Sequence, residues 1–207
     1  MQIEVRPAVH ADLEVAAQVL GEAFADYPWT KWTVDPDDHQ GRITELQRLA
    51  LRTLGFPFGQ VWVGLLDGDV RCVATWMDSD IPVPRRVEAD NEFVIEALEG
   101  SRHEWAVAAL AQIHGWRPPA RHFYLAAIGT TPSMQGRGLG KMVLAPMLRA
   151  ADEGQLPAFL ETSSETNVAF YSALGFEVVD NRQISGGGPD VWAMLRRPHA
   201  GDTDSSM

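Results

Sequence analysis

Apolar and charged residues alternate from Ile3 to Pro7, the two-residue rhythm of a half-buried strand. The rhythm then lengthens: Leu13, Ala16, Ala17, Leu20 and Phe24 recur at helical spacing behind Asp12, which stands at the N-cap position. A helix is therefore expected to Phe24. Tyr27, Trp29 and Trp32 follow in a stretch where Pro28 and Pro36 are expected to break regular structure. Leu46, Leu49 and Leu54 mark a second helix, capped by Asp37 or Asp38 and ended by Gly55. Residues 61–66 and 70–77 read as strands joined at Asp67, Gly68 and Asp69, a hairpin signal.

A proline-stiffened connection at 81–86 leads to two helical stretches, 88–98 and 101–114, separated by Gly100. The chain returns through 117–121 to an apolar, aromatic-rich strand that starts near His122 and ends at Ile128, Gly129 and Thr130. After Pro132 and a glycine-rich turn, Val143, Leu144, Met147 and Leu148 give a helical stripe that runs to about Glu153, with Pro146 inside it. Residues 158–163 form the next strand, and Thr166 or Asn167 opens a short helix closed by Gly175. Residues 176–179 and 191–195 make a last strand pair around a flexible glycine loop at 185–189. This alternation defines an α/β (α+β) fold in one domain, residues 1–199, followed by a disordered tail at 200–207. The helical insertion at 82–121, between the third and fourth strands, is either a binding wall or a flap over the sheet.

At 207 residues the chain is long enough for one sizeable core. A formal charge of −11 argues against a nucleic-acid surface and reads as a solvated acidic exterior. The lone Cys72 excludes an internal disulfide, no apolar run approaches bilayer length and the first residues are no signal peptide. A cytoplasmic protein with no membrane partner is expected, and the sequence leaves room for a homodimer. Six scattered histidines and one cysteine give no metal site; His103 and His122 are expected to be surface or interface polar residues, and Cys72 a small core residue. No Gly-x-Ser-x-Gly elbow suggests a serine nucleophile.

The turn between the central strand and its helix carries the clearest chemistry. Gly136, Gly138 and Gly140 let a ligand approach the backbone, the helix N-terminus offers free N–H groups, and Arg137 and Lys141 add cationic donors. This is an anion cradle suited to a pyrophosphate. A P-loop does not fit, because Gln135 and Met142 stand where its motif requires Gly and Ser or Thr, and neither glycine register gives a dinucleotide fingerprint. Glu161, near the distance of a ribose-binding acid, keeps a dinucleotide site open.

The pattern that fits is Gln/Arg-x-x-Gly-x-Gly/Ala, met by Gln135, Gly138 and Gly140, and it resembles the coenzyme A loop of the GNAT family of N-acetyltransferases. Asn167, Tyr171, Gly175 and Phe176 resemble the closing helix and turn of the same family. The resemblance implies a GNAT fold, a mixed, mostly antiparallel sheet flanked by helices, with acetyl-CoA as cofactor. It implies cofactor contacts from Ile128, Gly129 and Thr130, from Gln135, Gly136, Arg137, Gly138, Leu139, Gly140 and Lys141, and from Asn167. Tyr171, one helical turn beyond Asn167, would protonate the leaving thiolate, or else be a core aromatic beside Phe170. Glu161 would serve as the base, or else cap the loop after its strand. Phe24 to Pro28, 33–36, 43–46, 157–163 and the glycine loop further resemble the branch of the family that acetylates the aminonucleoside puromycin. That likeness points Tyr27 and Trp29 at the acceptor, an aromatic small-molecule amine. A peptide or protein amine is the second reading, and a non-catalytic acyl-CoA-binding module the third.

Overall fold

The computed structural model describes residues 2–199, with only the backbone of Glu88; the tail expected at 200–207 lies outside them. The alternating N-terminal segment is strand β1 (Ile3–Pro7), and helix α1 (Leu13–Phe24) follows. Asp12 precedes α1, but its carboxylate turns backward. It accepts from Arg6 Nη1 at 2.6 Å, Arg6 Nη2 at 3.0 Å and the Val9 N–H at 2.8 Å, and makes no cap to α1. Pro28 does not break structure: it opens a short helix, α2 (Pro28–Thr33), because its fixed φ suits the first helical position. Helix α3 (His39–Ala50) does not stop at Gly55 either. It widens into a π-turn over Leu51–Gly55 and runs on into α4 (Phe56–Phe58).

Strands β2 (Gly59–Leu66) and β3 (Asp69–Asp78) form the expected hairpin. Its two turn residues, Asp67 and Gly68, have φ of 51° and 91°, the sign a tight type I′ connection needs. The insertion supplies α5 (Arg85–Glu99) and α6 (His103–Ile113), and β4 (Phe123–Thr130) follows. Helix α7 (Leu139–Glu153) takes Pro146 within it, and β5 (Ala158–Thr162), α8 (Glu165–Ser172), β6 (Glu177–Gln183) and β7 (Asp190–Arg196) complete the chain.

The strands form one mixed sheet in the order β1-β2-β3-β4-β5-β7-β6, antiparallel except for β4 and β5. One face carries Cys72, Ala74, Trp76, Leu125 and Leu160 against the stripe Leu139, Val143, Leu144, Met147 and Leu148 of α7. The other carries Val61, Val63, Leu65 and Val73 against Ala16, Ala17 and Leu20 of α1. Each large apolar side chain buried in this way stabilises the fold by about 1.5–3 kcal/mol. A Cβ on Gly129 would meet the Ala23 Cβ at 2.7 Å, so only glycine lets α1 approach β4 this closely.

Two irregularities open the middle of the sheet. In the β3–β4 ladder Thr75 pairs with Ala127 but Trp76 with Leu125, so Ala126 is an extra residue and β4 bulges there. On its other side β4 pairs with β5 only at Phe123–Ala158 and Tyr124–Phe159. Beyond that point the two parallel strands part.

The insertion is packed down as well as wall-forming. Arg42 of α3 donates to the carbonyls of Ala97 and Leu98 at 2.9 and 3.1 Å, and Asp35 accepts from the Ser101 N–H at 3.0 Å. Trp32 of α2 stacks on Trp105 of α6 at 4.9 Å between ring centres.

Candidate active site

The opening between β4 and β5 leads into a cavity of about 920 Å³. Its β4 rim is Leu125, Ala126, Ala127 and Ile128; Glu161 and Thr162 face them from β5, and Asn167 and Tyr171 from α8. Of the residues expected to act on substrates, the cavity brings together Tyr27, Trp29, Ile128, Glu161, Asn167 and Tyr171. The expected cofactor loop stands outside it, at the start of α7, and Gly129 is turned toward α1.

That loop has the geometry an anion needs. Pro132–Met134 make one turn, and the Gln135 amide donates to the Thr130 carbonyl at 3.2 Å, tying the loop to the end of β4. Gly136 and Gly138 have φ of 73° and 83°, and no atom lies within 4 Å of where their Cβ atoms would stand. Gly138 caps α7, whose first helical bond runs from the Met142 N–H to the Gly138 carbonyl. The N–H groups of Leu139, Gly140 and Lys141 thus have no helical acceptor, and the dipole end of a 15-residue helix lies behind them. Arg137 and Lys141 are exposed at the same place. A diphosphate fits this turn, and the unpaired edge of β4 fits the amides of an extended pantetheine arm.

Tyr171 lines the cavity from α8. Its ring packs edge-on against Phe170 and Phe176, with ring centres 5.1 and 5.8 Å away, and belongs to the core. Its hydroxyl makes no hydrogen bond among the described residues, so the ring is structural and the polar tip is not consumed by structure. Burial, and after it the neighbouring Tyr27 and Cys72, raise its pKa far above the usual phenol value, which keeps its proton in place across the working pH range. Asn167, one turn earlier on α8, donates to Thr162 Oγ1 at 3.3 Å. Cys72 is fully buried beneath this region, accepts from Thr130 Oγ1 at 3.1 Å, and has its thiol pushed up to about 11 by burial. It is a core residue, as its place in the strand implied.

The acceptor side is assembled from distant segments. The Tyr27 hydroxyl accepts from the Ser163 N–H at 2.6 Å and lies 2.9 Å from Thr162 Oγ1, and the Trp29 N–H donates to Ser163 Oγ at 3.0 Å. These bonds pin the turn between α1 and α2 to the end of β5 and leave the Tyr27 ring as cavity wall. Trp29 also packs on Ile113, Ile184 and Val191. Leu51, Leu54 and Gly55 of the π-turn and Leu110, Ile113 and His114 of the insertion close the chamber.

Among the lining residues that the sequence reading did not place at the site, three stand out for their chemistry. Tyr124 and Arg117 cluster with Glu161: the Arg117 guanidinium lies 4.0 Å above the Tyr124 ring, and its Nε is 3.7 Å from Glu161 Oε1. Burial, followed by the Glu161 charge, raises the Tyr124 pKa well above the ordinary phenol value. His122 is the third, and it corrects an expectation. It is 3 % exposed rather than on the surface, its ring on Phe159 and its Nδ1 2.8 Å from the Ala120 carbonyl. His103 pairs with Glu99 at 2.7 Å, half-buried within the insertion. No group of three or more metal-ligating side chains occurs among the described residues, and none of their helices is long and apolar enough to cross a membrane.

The parted parallel strands, the bulged β4 and the glycine turn at a helix N-terminus define an acyl-CoA-binding fold of the acetyltransferase kind. Residues 62–176 match the pattern described as the acetyltransferase (GNAT) family, and the chain belongs to that family, whose members use acetyl-CoA. It is 30% identical over 82 residues to the N-alpha-acetyltransferase RimI of Mycobacterium tuberculosis, a match covering 39% of this chain and 52% of that protein. The chain spans about half or less of the length of the curated relatives it matches. Among solved structures it is similar to a Corynebacterium glutamicum protein described as histone acetyltransferase HPA2 and related acetyltransferase. That likeness has a TM-score of 0.73 and 26% identity, and covers 98% of this chain and 99% of the other. The PaiA N-acetyltransferase of Thermoplasma acidophilum, solved with coenzyme A, has the same fold at a TM-score of 0.56 and 15% identity, over 95% of this chain and 99% of its own.

Proposed function

We propose that this chain is an acetyl-CoA-dependent N-acetyltransferase that acetylates the primary amine of an aromatic small molecule, a puromycin-like aminonucleoside being the favoured class. One observation carries the reading. A carboxylate (Glu161) and an unpaired phenol (Tyr171) line the same cavity, beside parted strands and beneath aromatic walls. Acetyl-CoA supplies an activated acetyl group. Around it, Glu161 takes the proton of the incoming ammonium, directly or through water, so that a neutral amine attacks. Tyr171 gives its proton to the departing sulfur as the tetrahedral intermediate collapses, and the phenolate left behind takes back the remaining ammonium proton of the attacking nitrogen, directly or through water, which restores the phenol. Gly138 to Lys141 hold the diphosphate, and Asn167 with the free edge of β4 orients the arm. Direct transfer needs no covalent enzyme intermediate, which agrees with the buried, unreactive Cys72.

Acetylation of a peptide amine is the second reading, favoured by the likeness to RimI. The insertion weighs against it, because Leu110, Ile113 and His114 narrow the groove into a chamber. Thiol release from acetyl-CoA, measured against puromycin, polyamines, aminoglycosides and short peptides, separates the two. Turnover is expected with puromycin at a kcat/KM at least about tenfold above any peptide, a selectivity one well-filled pocket can supply. Preference for a peptide overturns the small-molecule reading, and no release with any amine overturns both.

A further inference from the structure

Glu161 presents an unusual account of itself. The side chain is 12% exposed, and no cation closes on its carboxylate to ordinary hydrogen-bond length. Its neighbours are the Tyr124 hydroxyl and the Arg117 guanidinium, and the latter stays 3.7 Å away. Two other arginine–carboxylate pairs in this protein do close fully: Arg196 reaches both oxygens of Asp152 at 2.8 Å, and Arg121 reaches Asp78 Oδ2 at 2.7 Å. A nearly buried carboxylate whose charge is met by so distant a cation favours any cation that brings N–H donors closer to it.

Arg117 is suited to be a temporary partner. It lies between the short helical turn after α6 and β4, its side chain is 54% exposed, and it reaches inward only as far as the face of Tyr124. Its side-chain partners are Tyr124 and, at 3.7 Å, Glu161. Its guanidinium therefore rests on the two features that recognise any organic cation, a carboxylate and an aromatic face. Resting on the proposed acetyltransfer, we infer that Glu161 and Tyr124 form the subsite for the acceptor's ammonium group, and that Arg117 is its exchangeable counter-ion, displaced when a cationic amine enters. The acceptor class follows from this: an amine that arrives protonated, carried on an apolar or aromatic body that fits the chamber. Arg117 then acts as a specificity gate, since a neutral ligand gains nothing from Glu161 and has no charge with which to displace the guanidinium.

The test is binding, without acetyl-CoA, so that it stands apart from any failure of the acetyltransfer reading in thiol release. Phenylalanine amide and its desamino analogue 3-phenylpropionamide are titrated by calorimetry into wild type, Arg117→Gln, Arg117→Lys and Glu161→Gln, each checked by its melting curve. Removing a competing, partly exposed cation is expected to tighten phenylalanine amide about three- to fivefold in Arg117→Gln and to leave 3-phenylpropionamide unchanged. Arg117→Lys, which keeps the charge but loses the planar stack, is expected to fall between wild type and the glutamine variant. Glu161→Gln is expected to lose at least about tenfold in affinity for the ammonium ligand and to bind the two ligands alike. Equal or weaker binding of phenylalanine amide by Arg117→Gln overturns the inference. So does a parallel shift of both ligands, or the absence of any ammonium preference in the wild type.

Discussion

The two walls of the proposed site, one at the cavity and one beside it, are built in different ways. The proposed cofactor wall is local: β4, the glycine turn and the start of α7 run continuously from Phe123 to Lys141, and the role proposed for each residue follows from its neighbours in the chain. The acceptor wall is remote: Tyr27 meets Ser163 across 136 residues, and Arg117 and Tyr124 meet Glu161 only because β4 and β5 lie side by side. A contiguous wall suits a cofactor that all family members share, since one turn of fixed geometry would be enough to grip it. A wall assembled from four segments lets the acceptor change while the grip stays. The insertion belongs to the second kind, anchored by Arg42 and Asp35 but presenting α6 to the chamber.

The sharpest way to break this division is to strike the cofactor wall alone. Gly138 has φ of 83°, where a side chain is strained even though the space beside it is open. Gly138→Glu adds that strain and sets a carboxylate beside the phosphates. Acetyl-CoA binding is expected to be abolished, while acceptor binding in the chamber persists. Calorimetry on the folded variant decides: unchanged acetyl-CoA affinity overturns the cradle assignment, and equal loss of both ligands overturns the independence of the walls.

Tyr171 stands where the walls meet, and Tyr171→Phe is expected to cost roughly 10²–10⁴-fold in kcat, the usual worth of a positioned acid. Affinity for acetyl-CoA should barely change, because the effect belongs to the transition state. Stability should hold as well, since the ring keeps its packing on Phe170 and Phe176 and the hydroxyl gives up no hydrogen bond among the described residues. A folded variant with kcat within about threefold of wild type leaves Tyr171 as a core aromatic only, far short of that expectation.

The contrast between the walls also explains what the sequence made legible. Strand alternation at Ile3–Pro7, the turn at Asp67 and Gly68, the α7 stripe and the glycine loop are short-range signals, and the structure follows each of them. Failures arose where a residue's partner lies far away or where local chemistry has two outcomes. Pro28 both ends and begins helices, and here it begins one. Asp12 stands at a cap position, but Arg6 on β1 competes for its carboxylate and wins. His122 carries no mark of burial, which comes from Phe159 on the adjoining strand. Tyr124 read as one more aromatic in a strand, because only the parallel pairing with β5 brings Glu161 beside it.

The smallest expected effect sharpens the acceptor wall, and it needs two variants because Tyr27 does two things. Its ring lines the chamber, while its hydroxyl fastens the α1–α2 turn to Ser163 and Thr162. Tyr27→Ala removes both, and the acceptor KM is expected to rise about tenfold through lost apolar contact, with the acetyl-CoA KM unchanged. Tyr27→Phe keeps the ring and drops the fastening, so it should cost about 1 kcal/mol of stability while its acceptor KM stays near that of wild type. If Tyr27→Phe raises the acceptor KM as much as Tyr27→Ala does, the hydroxyl and the turn it holds matter more than the aromatic wall. If the alanine variant raises both KM values equally, Tyr27 does not belong to one wall, and the two sides of the cavity are coupled through the end of β5.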